Sequence, residues 1–388
     1  MRAFLKKGKE KLVGMGNPWV FSGAIARVEG EVQSDRLCQV FGSTGKLLGT
    51  GYYNDASAIC IRMLSRNAGF NADDLVRRIN AAVGRRKALL SQQTDSCRLV
   101  NSEGDFLPGL IVDKFGGGLC IQVGTLGMEF WRGQIVDCLQ NFLSPDFIFE
   151  RSDTDSRKRE GLEPSEGLLS GKLPSPLVIY EMGVKYRADL ESGQKTGFFF
   201  DQRINRTVIR QYSPGADVCD CFSYSGGFSL NAALGGARSV KAVDISRNAG
   251  EWLNSNSRLN GVESCIEFTE ADVFSYLRQE GQNFDLMVLD PPKFAKHPGE
   301  VERAARGYKD INMVGLKRLR PEGVLFTFSC SNAVDPYLFR QIVFSAAADA
   351  MRSVQVLHVL SAGPDHPVNI AHKEGEYLKG LVLRVVGD

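Results

Sequence analysis

Several absences narrow this 388-residue chain before any motif is read. Its nine cysteines are an odd number, scattered without CxxC spacing, which argues against a disulfide framework or a zinc site and implies a reducing, cytoplasmic setting. No apolar run approaches the ~20 residues of a membrane span, and the opening Met1-Arg-Ala-Phe-Leu-Lys-Lys-Gly-Lys-Glu-Lys11 lacks the core of a signal peptide. A soluble protein without membrane or metal partners is expected. Neither GxGxxG nor GxxxxGK[ST] occurs in full, so a dinucleotide oxidoreductase and a P-loop enzyme both fit poorly. Disorder is excluded as well, because 43% hydrophobic and 24% charged residues suffice for two or three separate cores.

The net charge of +2 conceals an asymmetry. Residues 1–100 carry 16 Lys and Arg against 8 Asp and Glu, so the front is basic and the remainder acidic. Lys6, Lys7, Lys9 and Lys11, then Arg77, Arg78, Arg85, Arg86 and Lys87, could follow a phosphate backbone. A solvated helix face explains the same charges.

Residues 1–70 hold short alternating tracts broken by Gly42, Gly45 and Gly49, which predicts a small barrel of strands. From Asp73 to Gln93 the period becomes helical, with Leu75, Ile79, Ala82 and Val83 on one face and the arginines assigned to the other. Strands near 110–113, 119–123 and 147–149 and a helix over 128–142 complete a central α+β domain, 71–186. Within it, 150–176 reads as a long exposed loop. From 187 to 388 strands and helices alternate, with strands near 217–221, 239–244, 266–270, 285–290, 324–328, 354–360 and 380–386. That alternation predicts a mostly parallel, doubly wound sheet.

Chemistry concentrates at the ends of those strands. The tract Asp217-Val-Cys-Asp-Cys-Phe-Ser-Tyr-Ser-Gly-Gly-Phe-Ser229 is a strand, a glycine loop and a helix start, where a ligand can approach backbone N–H groups. Asp244 ends the next strand, where a carboxylate can accept both ribose hydroxyls, and Asp272 follows the third, where it can accept from an adenine amine. Each aspartate could equally cap a helix. Their recurrence beside the glycine loop favours a nucleoside cofactor without phosphates, which S-adenosylmethionine fits best. Two further strands end in Leu289-Asp-Pro-Pro-Lys-Phe294 and Phe326-Thr-Phe-Ser-Cys-Ser331. If these tips share a cleft, a thiol and a carboxylate face one substrate.

The ordered set Asn17-Pro-Trp-Val-Phe21, Gly193-Gln-Lys-Thr-Gly-Phe-Phe-Phe-Asp-Gln-Arg203, Phe222-Ser-Tyr-Ser-Gly-Gly-Phe228, Asp290-Pro-Pro-Lys-Phe294 and Ser329-Cys-Ser331 resembles the class I S-adenosylmethionine-dependent 23S ribosomal RNA cytosine-C5 methyltransferases that carry a PUA domain. The likeness covers nearly the whole chain. It implies a PUA-like RNA-binding β-barrel at 1–70, the central α+β domain, and a Rossmann-like class I methyltransferase domain at 187–388. It also implies that Phe222, Ser223, Tyr224, Gly226 and Gly227 surround the methionine part of S-adenosylmethionine, with Gln202 and Arg203 nearby, Asp244 on the ribose and Asp272 on the adenine.

In that family Cys330 is the nucleophile that attacks C6 of the cytosine. Asp290, at the edge of the cofactor site, grips the base. Lys195, Lys293, Phe294, Trp19, Arg85 and Arg86 become candidates for contact with RNA, and the target is a cytosine of 23S rRNA near position 1962 in conventional numbering. A methyltransferase for a guanine nitrogen, which would not need Cys330, and a non-catalytic RNA-binding assembly protein stay open. So do the oligomeric state, a homodimer included, and the base that removes the C5 proton. Cys221 departs from the family pattern, which favours an apolar residue there.

Overall fold

The computed structural model describes residues 1–387 apart from 192, 194, 195, 280, 282, 296 and 297. It divides into two compact units, Met1–Tyr180 with Ala188–Phe200 and Pro364–Gly375, and Glu181–Arg187 with Asp201–Gly363 and Glu376–Asp388. The chain therefore passes between units repeatedly, where the sequence predicts one boundary at 186–187. The predicted barrel and central domain fall in the same unit.

In the first unit a six-stranded sheet runs in the order Trp19–Val20, Ile61–Ser65, Leu47–Tyr53, Leu37–Phe41, Arg2–Leu5, Ile25–Glu29. Its alternating residues bury Ala3, Leu5, Cys38, Val40 and Ile61 on one side. A second sheet orders Ser165–Gly171, Phe147–Ser152, Gly118–Val123, Leu110–Phe115 and Cys97–Asn101, covered by the helices Ala72–Arg86 and Arg132–Leu143. The first of these helices starts at a reciprocal cap. The Asn71 side chain accepts from the Asp74 amide at 3.0 Å, and the Asp74 side chain accepts from the Asn71 amide at 3.2 Å.

Three expectations need correction here. The stretch 150–176 is not a free loop. Ser165–Gly171 pairs antiparallel with Phe147–Ser152, and a short helix Asp155–Arg159 lies between them. Its polar alternation is that of an edge strand. The helix expected over 128–142 is two helices, Leu126–Phe130 and Arg132–Leu143, meeting at Trp131. Arg86 does not share the solvent face of its helix. It lies eleven positions after Leu75, on the same apolar stripe, and is 2% exposed. Its guanidinium is bidentate on Asp105, at 2.7 and 2.5 Å, and also reaches the Asp365 carbonyl at 3.2 Å. A charge so enclosed folds the unit and does not face RNA.

The second unit is built on seven strands: β1 (Asp217–Cys221), β2 (Ser239–Asp244), β3 (Ile266–Glu270), β4 (Phe284–Leu289), β5 (Leu319–Ser329), β6 (Ser353–Ser361) and β7 (Lys379–Val386). Their order is β3-β2-β1-β4-β5-β7-β6, parallel except that β7 runs antiparallel to both β5 and β6. The doubly wound expectation holds. Every residue of β1 is buried, as a strand covered on both faces requires. The helix Val301–Lys317 closes one face, packing Tyr308, Ile311 and Leu316 into a core shared with Met287, Leu289 and Leu325. Because chain order reverses between β1 and β4, a crevice opens at their carboxyl ends.

The Arg86–Asp105 pair yields a stability test. Asp105→Ala leaves an enclosed guanidinium without its partner and should cost about 3–5 kcal/mol in urea unfolding. Arg77→Ala, whose ion pair with Asp74 is solvent-exposed, should cost under about 1 kcal/mol.

Candidate active site at the carboxyl ends of the parallel strands

The loop after β1 is shaped for close approach. Phe222 and Tyr224 adopt positive φ, 62° and 46°, and Gly226, at φ 86°, caps the helix Gly227–Leu234. A Cβ at Gly226 would stand 3.0 Å from Leu253, and one at Gly227 would stand 2.9 Å from Arg206. Glycine therefore suits both positions, Gly226 for its left-handed backbone and each because a side chain would press on a packed neighbour. Ser223 Oγ is buried with no hydrogen-bond partner among the described residues, the state expected of a hydroxyl that serves a ligand. The loop thus fits the methionine end of S-adenosylmethionine.

Asp244 stands at the tip of β2. Its two oxygens accept from the amides of Tyr224 and Ser246, at 3.0 and 2.9 Å, which fixes the carboxylate and leaves lone pairs for a ribose. Asp272 is exposed and caps the helix Val273–Arg278, with Oδ1 accepting from the Ser275 amide at 2.9 Å. One of its oxygens is committed to that cap. Asp220, inside β1, accepts from the Ser229 amide and hydroxyl at 2.9 and 2.6 Å. Burial raises its pKa to about 7 against the effect of those bonds, and the charges of Asp290 and Asp244 push the same way.

The two strand tips do meet. Residues β4 Leu289 and β5 Thr327 are paired in parallel register, so the chain beyond each turns into the same crevice. Cys330 Sγ lies 4.0 Å from the Pro291 carbonyl oxygen, one residue beyond Asp290. Seven of the nine cysteines are buried, whereas Cys330 retains access to solvent. Asp290 accepts from the Gln202 amide at 3.0 Å, and Asn205 in turn donates to Gln202 Oε1 at 2.6 Å. Two prolines and this amide chain together fix the carboxylate.

Lys379, the first residue of β7, lies beside this tip, and sequence reading did not assign it. It is paired with Ser329 across the antiparallel ladder and is 5% exposed. Its ammonium donates to the carbonyls of Ser331 and Val334 at 2.7 and 2.6 Å, tying down the turn that carries Cys330. Burial depresses its pKa to about 8, opposed by Cys330 and Asp335 and assisted by Lys293. A single lysine opening a strand gives no local sign of this. Only the insertion of β7 between β5 and β6 makes it visible.

The remaining expected residues are dispersed. Arg203 is buried with Nε 3.8 Å from a Glu181 oxygen, beside the Arg206–Glu181 pair at 2.7 Å. Phe294 packs on Tyr308 and Phe274, with ring centroids 4.6 and 6.1 Å apart, which commits part of its surface to the core. Lys293 is exposed, 6.0 Å from the Tyr377 ring centroid. In the first unit Trp19 is half-buried, its indole N–H donating to Glu103 at 2.8 Å. Arg85 is exposed and donates to Asp105 at 2.9 Å. Lys195 lies outside the described residues. The aromatics that follow it, Phe198 and Phe200, are buried in the first unit, with the Phe200 ring tilted against Phe115 at 5.2 Å, so they do not offer rings to a ligand.

A glycine loop without a phosphate-binding signature, an acid at the tip of β2 and another just beyond β3, and the order of the seven strands define a class I methyltransferase. Comparison with known proteins agrees. A PUA-like domain model matches residues 4–66, and a model described as S-adenosylmethionine-dependent methyltransferase matches residues 157–384. The chain is 42% identical to a protein of Shewanella amazonensis named ribosomal RNA large subunit methyltransferase I, over 99% of both chains. It is 41% identical to the protein of the same name from Erwinia tasmaniensis, over the full length of both. Two solved structures share the fold: a Streptococcus mutans protein described as a SAM-dependent methyltransferase, with TM-score 0.85 at 22% identity over 99% of this chain, and a methyltransferase complexed with SAH, with TM-score 0.87 at 21% identity over 99% of this chain.

The chain belongs to the ribosomal RNA large subunit methyltransferase I family of S-adenosylmethionine-dependent methyltransferases, and its cofactor is S-adenosylmethionine. Among the described residues no helix is long and apolar enough to cross a membrane.

Asp220 supplies a pH test on the cofactor-free protein. Its folded-state pKa lies above its unfolded one, so its contribution to stability is greatest in acid and declines as pH rises to about 7. Asp220→Asn should remove that decline, so the variant gains on the parent between pH 5 and 8 in urea titrations.

Proposed function

We propose that this enzyme methylates C5 of a cytosine in 23S ribosomal RNA, near position 1962, through a transient bond between Cys330 and C6 of the base. The observation that carries the reading is the meeting of Cys330 with the Asp290–Pro291 tip in one crevice, 4.0 Å from Sγ to the Pro291 oxygen. The full-length likeness to proteins named for ribosomal RNA supports the substrate, as does the PUA-like domain. Its place of work is the cytoplasm, where such RNA is made and assembled.

Carbon 5 of cytosine is a poor nucleophile until C6 is attacked. The Cys330 thiolate forms the C6–S bond and pushes electron density into the ring toward C5 and N3, while Asp290, carrying a proton, donates to N3 and stabilises the negative charge that develops there. Bound S-adenosylmethionine supplies an electrophilic methyl group, which C5 takes. Loss of the C5 proton to a base then re-forms the double bond and expels the Cys330 thiolate, restoring the enzyme. In this scheme Asp244 holds the ribose, Asp272 the adenine, and the loop from Phe222 to Gly227 the methionine end. Gln202 fixes Asp290 in place. Lys379 acts through position and charge: it anchors the turn after Cys330 and sets a cation beside the thiol, which favours thiolate.

Cys330→Ala should lower methyl transfer at least ~10³-fold while leaving S-adenosylmethionine affinity unchanged in calorimetry. Near-parental transfer by that variant would shift the reading to a ring or exocyclic nitrogen as the target. Lys379→Met should move the pH dependence of Cys330 alkylation by iodoacetamide to higher pH, together with the pH–rate curve. An unaltered alkylation profile would leave Lys379 a purely structural role.

A further inference from the structure

The first unit contains a cavity of about 640 Å³ between its six-stranded sheet and its second sheet, within the ~300–1,000 Å³ range of small-molecule sites. None of the catalytic chemistry above uses it. Its floor includes Gln122, on Gly118–Val123, a strand whose every residue is buried. Gln122 is 9% exposed, and its amide has no hydrogen-bond partner among the described residues. An amide carried by an otherwise apolar strand into the lining of a cavity is a polar group placed to orient a ligand there. Both of its groups, one donor and one acceptor, remain available to the edge of a heterocycle.

The walls fit the same chemistry. Trp19 is held rigid: its N–H donates to Glu103 at 2.8 Å, Arg62 lies 5.4 Å from its ring centroid, and His372 packs 4.3 Å away. Beside it Phe21, 52% exposed, meets Trp19 edge to face at 6.2 Å. An exposed ring on a fixed aromatic base is a stacking platform.

The acidic groups of the wall are already engaged. Glu160 accepts from Arg62, Ser57 and Asn54 at 3.0, 2.9 and 3.0 Å, and Arg62 also donates to Glu103 at 3.0 Å. Two carboxylates thus share one guanidinium, and the exposed Arg159 at the rim balances the remaining charge. Arg159 has no ion pair among the described residues.

An aromatic platform, an unbonded amide and a rim cation together match a nucleotide. We infer that this cavity receives one unstacked nucleotide of the substrate RNA, distinct from the target cytosine, with its base on Phe21, its edge on Gln122 and its phosphate at Arg159. The inference rests on RNA being the substrate and adds a place where the strand is held away from the methyl-transfer site. Unpaired bases splayed onto aromatic rings are the usual means of reading single-stranded RNA.

The test is fluorescence anisotropy with a labelled, protein-free transcript of the large-subunit RNA domain that contains the target, using the full chain. Phe21→Ala, Arg159→Ala and Gln122→Leu should each weaken RNA binding about 5- to 100-fold, with S-adenosylmethionine affinity retained. Phe21 and Arg159 are exposed, so those two variants keep the test valid if Gln122→Leu fails to fold. Parental RNA affinity in both would overturn the inference. The four ribonucleoside 5′-monophosphates, followed by NMR, separate the two sources of a nucleotide. Nucleotide binding that is lost in Phe21→Ala, with RNA affinity unchanged, would overturn the RNA assignment and leave a site for free nucleotide. Failure of the parent protein to bind RNA at all would instead remove the RNA-substrate reading on which the inference rests.

Discussion

The parallel pairing of β4 with β5 is the constraint on which the active site depends. With Leu289 set against Thr327, the chain leaves the two strands at almost the same height. Asp290 and Cys330 are thereby delivered to one crevice although forty residues separate them. A two-residue slip would carry the thiol about 7 Å along the sheet, beyond reach of a base held by Asp290. The register is secured by apolar side chains on one face, Met287 and Leu289 on one strand and Leu325 on its neighbour, packed against the helix carrying Tyr308 and Ile311. Catalytic geometry is here a consequence of core packing.

On that frame the site divides its labour by strand. The tips of β1 and β2 form a cradle suited to an uncharged adenosine and a methionine: strained backbone in the loop, an orphaned hydroxyl at Ser223 and a fixed carboxylate at Asp244. In the proposed mechanism the tips of β4 and β5 serve the base. Strand β7, inserted antiparallel, adds the cation at Lys379 that neither neighbour supplies, and Asp335 and Cys330 offset part of the burial that would otherwise discharge it. In the first unit the enclosed arginines Arg86 and Arg62 serve its own folding.

Much of this was legible in the sequence where local pattern and position coincide. The bounds of β1, β2 and β3 agree with those expected from the sequence, and Cys330 and Asp290 stand out because each follows an apolar run. What resisted reading depends on distant contacts. Strand β5 begins at Leu319, not near Val324, because Arg320-Pro-Glu-Gly323 looks like a turn yet Leu319 pairs with Phe284 beyond a bulge. Lys379 is unremarkable until β7 is placed between two strands. Arg86 misled through its residue type, since a charged side chain on an apolar stripe is sustained only by a carboxylate nineteen positions away. Asp272 shows the limit of a single residue with two uses: the cap is visible, and an additional bond to adenine is compatible with it.

The central claim is covalent catalysis by Cys330, and the most direct measurement is a trapping experiment. RNA carrying 5-fluorocytidine at the target position, incubated with enzyme and S-adenosylmethionine, presents a C5 from which no proton can be lost after methyl transfer. A stable protein–RNA adduct whose cross-linked peptide contains Cys330, dependent on cofactor and missing in Cys330→Ala, is the predicted result. Full occupancy of enzyme by substrate with no adduct, or an adduct at any other residue, would contradict the account.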